Sequence, residues 1–457
     1  MFSDDTIAAI STPPGRGGIG VIRLSGPNSL SIANSFFRSG SARESWASNY
    51  AHFGNVVDPA SGEPIDEAIV TYYKAPRSYT GEDTIEISCH GSPVILTRVL
   101  QLAVDEGARI AEPGEFTFRA FFNRRIDLAQ AQAVRDLINS QTQYQARLAT
   151  RQLGGELSQR LAPIKDALIE VIVHLESAIE FVEEDISPET TATLQRKLSS
   201  IVDGLEEIAN SFTFGRYVKE GFDLAIVGRP NVGKSTIFNR LIGTDRAIVT
   251  ELPGTTRDAL YENTSISGVP VRLIDTAGIR ETSDLVESIG VTRSKNTIAD
   301  ADISLLVLDA SDSLNDDDLH LLNHVPAQRR IVTLNKSDLP PRLASSSVTF
   351  SGDEPISISA LTGDGFDLLN QRILNQLAGS EAIERDDIIL TDARQHDAVR
   401  RTIQHVTRSL EMIQQRELEE VLLLRLRGGL SALGEITGET LTDDILGQIF
   451  STFCIGK

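Results

Sequence analysis

The stretch Gly228–Ser235, GRPNVGKS, decides the fold of the central part of the chain. It follows the apolar run FDLAIVG, typical of a buried strand, and precedes the helix-like run TIFNRLIG. A strand, a loop of the form G-x-x-x-x-G-K-[ST] and a helix build a phosphate site, because glycines let backbone N–H groups turn toward the phosphates. Lys234 is expected to neutralise the β- and γ-phosphate oxygens, and the Ser235 hydroxyl to bind Mg²⁺. The predicted nucleotide contacts in this stretch are Asn231, Val232, Gly233, Lys234, Ser235 and Thr236.

Further motifs follow the next apolar strands in order. The run VRLIDTAG ends in Asp275, Thr276, Ala277 and Gly278, and the run RIVTLN ends at Asn335, followed by Lys336 and Asp338. Asp275 can hold Mg²⁺ through water, and the Gly278 N–H can sense the γ-phosphate. Asp338 can accept two hydrogen bonds from guanine N1–H and N2–H₂, a pair that adenine cannot supply. Ser359 and Ala360, after PISI, would complete the base pocket, so the motifs predict GTP as the nucleotide.

The loop between these motifs is expected to be a switch. Thr256 is the candidate that closes on Mg²⁺ while the γ-phosphate is present. Thr255 and Arg257 either belong to this switch or, equally well, lie in an ordinary exposed loop. Ile279 stands where a water-orienting glutamine would follow Asp-x-x-Gly, and it cannot polarise water. Glu281 is the nearest carboxylate beyond it and either orients the attacking water or is a solvent-exposed acid.

Composition places the chain among ordinary globular proteins. With 457 residues it is expected to form two to four domains. It is 40% hydrophobic and 23% charged, and no apolar run approaches the roughly 20 residues of a membrane span. The acidic residues in MFSDDTIAAIST do not resemble a secretory signal, so we expect a cytoplasmic protein. Cys89 and Cys454 are too far apart in the sequence to suggest a disulfide framework or a zinc site.

The formal charge of −21 disfavours non-specific binding to phosphate backbones, so any contact with nucleic acid must be local or shared with a partner. Small basic clusters occur at Arg119–Arg125, Arg400–Arg401 and Arg425–Arg427. Each is expected to be a solvated helix face.

Residue periodicity predicts a multidomain fold. Short strand-like runs broken by Gly and Pro predict an N-terminal α+β domain over residues 1–120. Apolar residues at spacings of three and four predict a helical domain in two parts, residues 121–217 and 380–457, with a helix break at Gly428–Gly429. The P-loop domain over residues 218–379 alternates strands and helices, which predicts a mostly parallel sheet inserted between the two helical parts.

The chain resembles the MnmE (TrmE) family of tRNA-modification GTPases over its full length. The resemblance lies in DTIAAISTPPGRGGIGVIRLSGP, SYTGEDTIEISCHGSP, EPGEFTFRAFFNRRIDLAQAQAV, the P-loop domain and FCIGK. It implies that the first domain binds folate and dimerises, and that a homodimer joins the flavoprotein MnmG in a heterotetramer. Together the two proteins would install a (carboxymethyl)aminomethyl group at carbon 5 of the wobble uridine of certain tRNAs, using a tetrahydrofolate one-carbon unit.

The resemblance also implies roles for individual residues. The formyl-tetrahydrofolate or related ligand would be contacted by Arg23, Glu86, Arg125 and Lys457. Cations suit the anionic glutamate tail of the folate, and a carboxylate suits the N–H donors of its pterin. Cys454, in the C-I-G-K match, is implicated in the modification reaction, although a thiol of this kind is more often inert.

Potassium activation is a further implication. Family members resemble GTPases that pair across their nucleotide faces around K⁺, which stands where an arginine finger acts elsewhere. The K⁺ ligands would be Asn231, Thr250, Leu252 and Thr255, and Glu281 would orient the attacking water. Gln132 and Leu361 depart from the residues usual at their positions, Glu and Lys, without removing an assigned group.

Two other functions share parts of this pattern. A GTPase that matures ribosomes would carry the same nucleotide motifs but has no reason to contain Cys454–Lys457. A folate-binding scaffold would use the GTPase only to set its oligomeric state.

Overall fold

The computed structural model describes residues 5–39, 46–180, 188–244, 261–275, 301–343, 354–379, 389–415 and 418–456. The chain divides into two units. The first contains Met1–Arg135, Leu153–Ser158 and Gly434–Lys457, and the second contains Asp136–Gln152 and Gln159–Leu433. These units are coarser than the four predicted segments, whose boundaries remain predictions.

The strands fall into two sheets. In chain order they are β1 (Ile7–Ile10), β2 (Ile19–Ser25), β3 (Phe37–Ser39), β4 (Ala51–Val57), β5 (Pro64–Tyr73), β6 (Thr84–His90), β7 (Arg109–Ile110), β8 (Phe222–Val227), β9 (Tyr261–Ile266), β10 (Val269–Asp275), β11 (Ile303–Asp309), β12 (Arg330–Asn335) and β13 (Ile356–Ser357). The first unit holds the sheet β3-β4-β5-β6-β2-β1-β7, and the second holds β13-β12-β11-β8-β10-β9.

Helices make up the rest of the regular structure. In chain order they are α1 (Ser29–Phe36), α2 (Pro93–Asp105), α3 (Glu115–Phe122), α4 (Leu128–Ile138), α5 (Gln143–Leu153), α6 (Glu156–Glu180), α7 (Pro188–Asn210), α8 (Phe212–Glu220), α9 (Lys234–Thr244), α10 (Asp316–His324), α11 (Phe366–Ala378), α12 (Ala393–Gln415), α13 (Glu419–Thr437) and α14 (Asp443–Phe450), with a 3₁₀ turn at Ala327–Arg329. Within the described residues, no helix is both long and apolar enough to cross a membrane.

The sheet of the first unit is antiparallel except for the pair β1 and β7. Along β6 the buried residues Ile85, Ile87 and Cys89 alternate with Glu86 and Ser88, which are half-buried. Because side chains alternate between the faces of a strand, Glu86 lies on the face opposite the α1–α2 core. The Glu86 carboxylate therefore lies on the face of the sheet that the α1–α2 core does not cover.

The second sheet is parallel except for the edge strand β9, which confirms the predicted P-loop architecture. All seven residues of β11 are buried, as expected for a central parallel strand covered on both faces. The carboxyl ends of parallel strands share one edge, so β8, β10 and β12 all end there. This edge is where ligands bind in open α/β sheets.

Residues that flank the predicted P-loop domain in the sequence contact each other. Gly215 of α8 packs so closely on the Leu390 carbonyl that an added Cβ would lie 1.8 Å from that oxygen. The Leu390 N–H donates to the Ser211 hydroxyl over 3.0 Å. Helix α12, from the second helical stretch, packs against α7 from the first.

The predicted helix break at Gly428–Gly429 is wrong, because α13 runs through both glycines. A Cβ on Gly428 would lie 2.8 Å from the His405 ring, and the Thr402 hydroxyl of α12 donates to the Gly429 carbonyl over 3.2 Å. The glycines therefore allow close approach of two helices rather than ending one of them.

Candidate functional site

The phosphate loop follows β8 and has the backbone that its glycines permit. Asn231 and Gly233 both lie in the left-handed region, with φ of 67° and 98°. Lys234 is buried, and its ammonium donates to the carbonyls of Gly228 and Arg229 over 2.9 and 2.8 Å. The Lys234 charge is thus held across the loop that is expected to receive the phosphates.

Asn335 joins the phosphate loop to the base-recognition segments. Its side-chain amide donates to the Val232 carbonyl over 2.7 Å, and its amide oxygen accepts from Ala360 N–H over 2.9 Å. A Cβ on Gly233 would lie 2.3 Å from the Asn335 amide nitrogen, so glycine is required there. Three motifs far apart in the sequence meet at one buried side chain.

Asp338 and Ser359 are also brought together. The Ser359 hydroxyl donates to the Asp338 carboxylate over 2.6 Å and accepts from Thr362 N–H over 3.1 Å. Asp338 itself is exposed. This arrangement orients an accessible carboxylate beside the end of β12, where a base with two N–H donors would meet it.

Lys336 has a counterion at the end of the neighbouring strand. Its ammonium lies 2.6 Å from Asp309, which also accepts from the Ser311 N–H and hydroxyl over 2.9 and 2.6 Å. Burial raises the Asp309 pKa, but these hydrogen bonds outweigh burial and bring the pKa below its ordinary value. Asp309 therefore stays ionised and fixes Lys336, a partnership that the sequence alone did not reveal.

Several predicted residues lie outside the described residues. These are Thr250, Leu252, Thr255, Thr256, Thr276, Ala277, Gly278, Ile279, Glu281 and Lys457. Asp275 ends β10, opposite Ile226 of β8, as predicted, but its side chain is not described. The switch, the K⁺ ligands and the water-orienting group consequently stay predictions.

A second cluster lies in the first unit, around Arg23 of β2 and Glu86 of β6. These residues face each other in the strand register, and Arg23 donates to one Glu86 oxygen through Nε (2.9 Å) and Nη2 (2.7 Å). The Arg23 guanidinium lies 5.4 Å from the Tyr79 ring and 5.7 Å from the Phe116 ring. Burial raises the Tyr79 pKa, so its hydroxyl stays neutral at physiological pH.

The segment after α14 reaches this cluster. Arg23 Nη1 donates to the Gly456 carbonyl over 3.4 Å, and the Ser11 hydroxyl donates to the same carbonyl over 3.1 Å. Gly456 has φ of 90°, and a Cβ there would lie 2.6 Å from the Ile10 carbonyl. The predicted folate contact Arg23 is therefore a neighbour of Gly456, which precedes the predicted contact Lys457 in the sequence.

Cys454 and Arg125 belong to the same unit. The Gly114 N–H donates to the Cys454 carbonyl over 3.3 Å, and the Cys454 side chain is exposed. Arg125 packs by its Cγ on Gly81, where an added Cβ would lie 3.2 Å away. Tyr79 and Phe116 were not predicted, although Tyr79 belongs to SYTGED and Phe116 to GEFT, two of the motifs that carry the resemblance.

The expectation that Arg119 lies on a solvated helix face is wrong. Its side chain is 4% exposed and forms ion pairs with Asp5, Glu82 and Glu115. Glu115, of GEFT, also pairs with Arg109 over 2.6 Å. The arginine is buried because three carboxylates compensate its charge, a pairing that local sequence does not show.

The chain is similar to known proteins over its full length. A family model described as "MnmE helical domain" matches residues 128–454, and one described as "GTP-binding protein TrmE N-terminus" matches residues 6–125. The chain is 47% identical to the tRNA modification GTPase MnmE of Koribacter versatilis, with all of both chains covered. It is 44% identical to the protein of that name from Aquifex aeolicus, with 99% of this chain and 100% of the relative covered. A crystal structure of Aquifex aeolicus Era is 28% identical over 40% of this chain and 66% of Era, with a TM-score of 0.27.

Proposed function

The chain belongs to the MnmE family and is a GTP hydrolase that acts in tRNA modification, and from this premise we propose its finer activity. With a flavoprotein partner of the MnmG type, it installs a (carboxymethyl)aminomethyl group at carbon 5 of the wobble uridine. A tetrahydrofolate supplies the one-carbon unit. The observation that carries this proposal is Arg23, which contacts both Glu86 and Gly456 and so joins the folate motif to the segment that contains Cys454.

In the nucleotide site, Lys234 binds the β- and γ-phosphates and Asp338 reads the guanine edge. Backbone N–H groups of the phosphate loop and of Ala277–Gly278 complete the phosphate contacts. The exposed Asp338 carboxylate and the position of Lys234 at the first residue of α9 support these roles.

Ser235 and Thr256 would hold Mg²⁺, with Asp275 acting through water. Hydroxyl and carboxylate oxygens are the ligands that Mg²⁺ prefers, and Ser235 is exposed in the first turn of α9, which supports the fit. Mg²⁺ would neutralise charge that develops on the phosphates during transfer.

Asn231, Thr250, Leu252 and Thr255 would provide oxygen ligands to K⁺. The exposed Asn231 in a left-handed turn leaves its amide oxygen accessible, which supports this assignment. Because Ile279 cannot orient water, Glu281 takes that role. Hydrolysis then depends on pairing of two P-loop domains.

The folate site has an acceptor for pterin N–H groups. Glu86 Oε2 is contacted by the Tyr73 hydroxyl over 3.5 Å, a long hydrogen bond that leaves this oxygen capacity to accept another. Glu86 already compensates the Arg23 charge, so Arg125 and Lys457 are the cations for the glutamate tail of the folate. The exposed Cys454 thiol lies within reach of tRNA or a partner and takes part in the modification.

The protein works as a cytoplasmic homodimer and forms a heterotetramer with its flavoprotein partner. tRNA is the substrate of that assembly.

Binding of 5-formyl-tetrahydrofolate to the purified full chain tests the proposal. We expect saturable binding in calorimetry, weakened at least about tenfold in Glu86→Gln because a pterin N–H loses its charged acceptor. Glu67→Gln, an exposed glutamate of the same sheet, should bind as wild type, and GTP affinity should be unchanged in both variants. Absence of binding by wild type, or wild-type binding by Glu86→Gln, would contradict the proposed folate site.

A further inference from the structure

Arg240 reaches from the helix behind the phosphate loop to the loop after β13. It lies on α9, and its Nε donates to the Ala360 carbonyl over 2.9 Å while Nη2 donates to the Leu361 carbonyl over 2.8 Å. The guanidinium also lies over the Phe366 ring, 5.6 Å from its centroid. One planar fork therefore holds two consecutive carbonyls, which a lysine could not do with the same geometry.

Space for this fork depends on a glycine. Gly363 has φ of 98°, and a Cβ there would lie 2.4 Å from Arg240 Nη1. Any other residue would meet both backbone strain and the guanidinium. The loop and Arg240 thus fit each other.

The contact extends to the guanine-reading carboxylate through planar peptide groups. Fixing the Leu361 carbonyl also fixes the Thr362 N–H of the same peptide plane. That N–H donates to the Ser359 hydroxyl, which in turn donates to Asp338. A continuous path of hydrogen bonds and one rigid peptide therefore connects Arg240 with Asp338.

We propose that Arg240 is a positioning residue that sets guanine selectivity by holding the Ala360–Thr362 loop, and through it Asp338. It does not touch the base. Leu361, which is 75% exposed and occupies the position where lysine is frequent in GTPases, has no polar group of its own to fix this loop. The cation is supplied from α9 instead. The inference rests on the proposed reading of guanine by Asp338.

Equilibrium affinities for GDP and inosine diphosphate, measured with the full chain, test the inference. Inosine lacks the 2-amino group that Asp338 reads, so wild type should prefer GDP by about tenfold or more. In Arg240→Ala this preference should shrink by at least about threefold, because a loosened Asp338 contributes less to GDP binding. Arg240→Lys should be intermediate. The matched control is Arg372→Ala, an exposed arginine of α11 in the same unit, which should retain the wild-type ratio.

The two possible failures are distinguishable. An unchanged ratio in Arg240→Ala, with wild type discriminating, would overturn the role of Arg240. No discrimination by wild type would overturn the role of Asp338 itself. If Arg240→Ala lacks the wild-type circular dichroism spectrum, Arg240→Gln, which keeps one donor group, is measured instead. A wild-type preference for GDP in that variant overturns the inference, and a reduced preference supports it.

Discussion

The Asn335 side chain donates to the Val232 carbonyl over 2.7 Å and thereby ties the guanine-recognition segment to the phosphate loop. Asn335 is 2% exposed, so bulk water cannot take the place of its side chain as the partner of the Val232 carbonyl. The proposed base and phosphate contacts consequently share one edge of the sheet.

Asn335→Ala should weaken nucleotide binding. It leaves the Val232 carbonyl and the Ala360 N–H without their partner, and each buried unsatisfied group costs about 1–3 kcal/mol. We expect GDP affinity to fall at least about tenfold in titrations with a fluorescent nucleotide. Asn263→Ala, on the exposed side of edge strand β9, is the control and should bind as wild type. Equal affinities in the two variants would contradict the bridging role of Asn335.

GTP turnover should depend on K⁺ and on Glu281. Wild type should turn over at least about tenfold faster in KCl than in NaCl, because the proposed K⁺ takes the place of an arginine finger. Glu281→Ala should lose about 10²-fold in kcat with little change in nucleotide affinity, because a water-orienting group acts in the chemical step. Glu262→Ala serves as the control for removal of an exposed acid. Equal rates in all four combinations of protein and salt would reject both roles.

The buried ion cluster should make the first unit sensitive to acid. Burial raises the pKa of Asp5 and Glu115, but hydrogen bonds from Arg109 and Arg119 outweigh it, and both pKa values lie below their ordinary range. A lowered folded-state pKa gives stability that is present above the unfolded-state pKa, about 4, and is lost as pH falls toward the folded-state pKa. The melting temperature should therefore drop steeply below about pH 4.

Glu115→Gln tests this origin of the acid sensitivity. At pH 7 the substitution should lower the free energy of unfolding by roughly 3 kcal/mol, because it breaks a buried ion pair. The melting temperature of the variant should also fall less steeply at acid pH than that of wild type. Glu63→Gln, an exposed acid, should follow the wild-type curve. The melting temperature is measured by circular dichroism from pH 3 to 7. The same pH dependence of the melting temperature in Glu115→Gln and wild type would contradict the role of the ion cluster.

Gly215→Ala should destabilise the second unit. The added methyl group would overlap the Leu390 carbonyl, and forcing the two segments apart costs about 1–3 kcal/mol or more. Gly243→Ala is a matched helical control, since nothing lies within 4 Å of its added Cβ, and it should stabilise by up to about 1 kcal/mol. Urea unfolding of both variants checks this contrast. A Gly215→Ala midpoint equal to that of wild type would show that the two segments are not closely packed.

Apolar patterning predicts the strands well, because buried strands such as β8 and β11 are continuous apolar runs with few alternatives. The nucleotide motifs are predictable for a related reason: each depends on a short local sequence at a strand end. Predictions failed where the deciding partner lies elsewhere in the chain. The sequence predicts a helix break at Gly428–Gly429 because it does not show that His405 packs there. It predicts a solvated Arg119 because it does not show the three carboxylates that pair with this residue.

In the candidate sites, too, contacts between residues far apart in the sequence could not be predicted. Nothing local links Arg23 to Gly456, or Arg240 to the Ala360 carbonyl, because only the folded chain brings them within hydrogen-bond distance. The family resemblance implied separate roles for Arg23 and Cys454 but no contact between Arg23 and Gly456. Backbone carbonyls as partners leave no signal in the residue types, which is why Arg240 was not predicted.

The modification state of the wobble uridine tests the central claim most directly. tRNA is purified from cells that lack this protein and from the same cells expressing wild type, Cys454→Ser or the neighbouring control Ser451→Ala, and its nucleosides are quantified by mass spectrometry. We predict that the modified uridine is lost in the deletion, restored by wild type and Ser451→Ala, and not restored by Cys454→Ser. Wild-type levels with Cys454→Ser would remove the role of that thiol, and wild-type levels in the deletion would contradict the tRNA-modifying function itself.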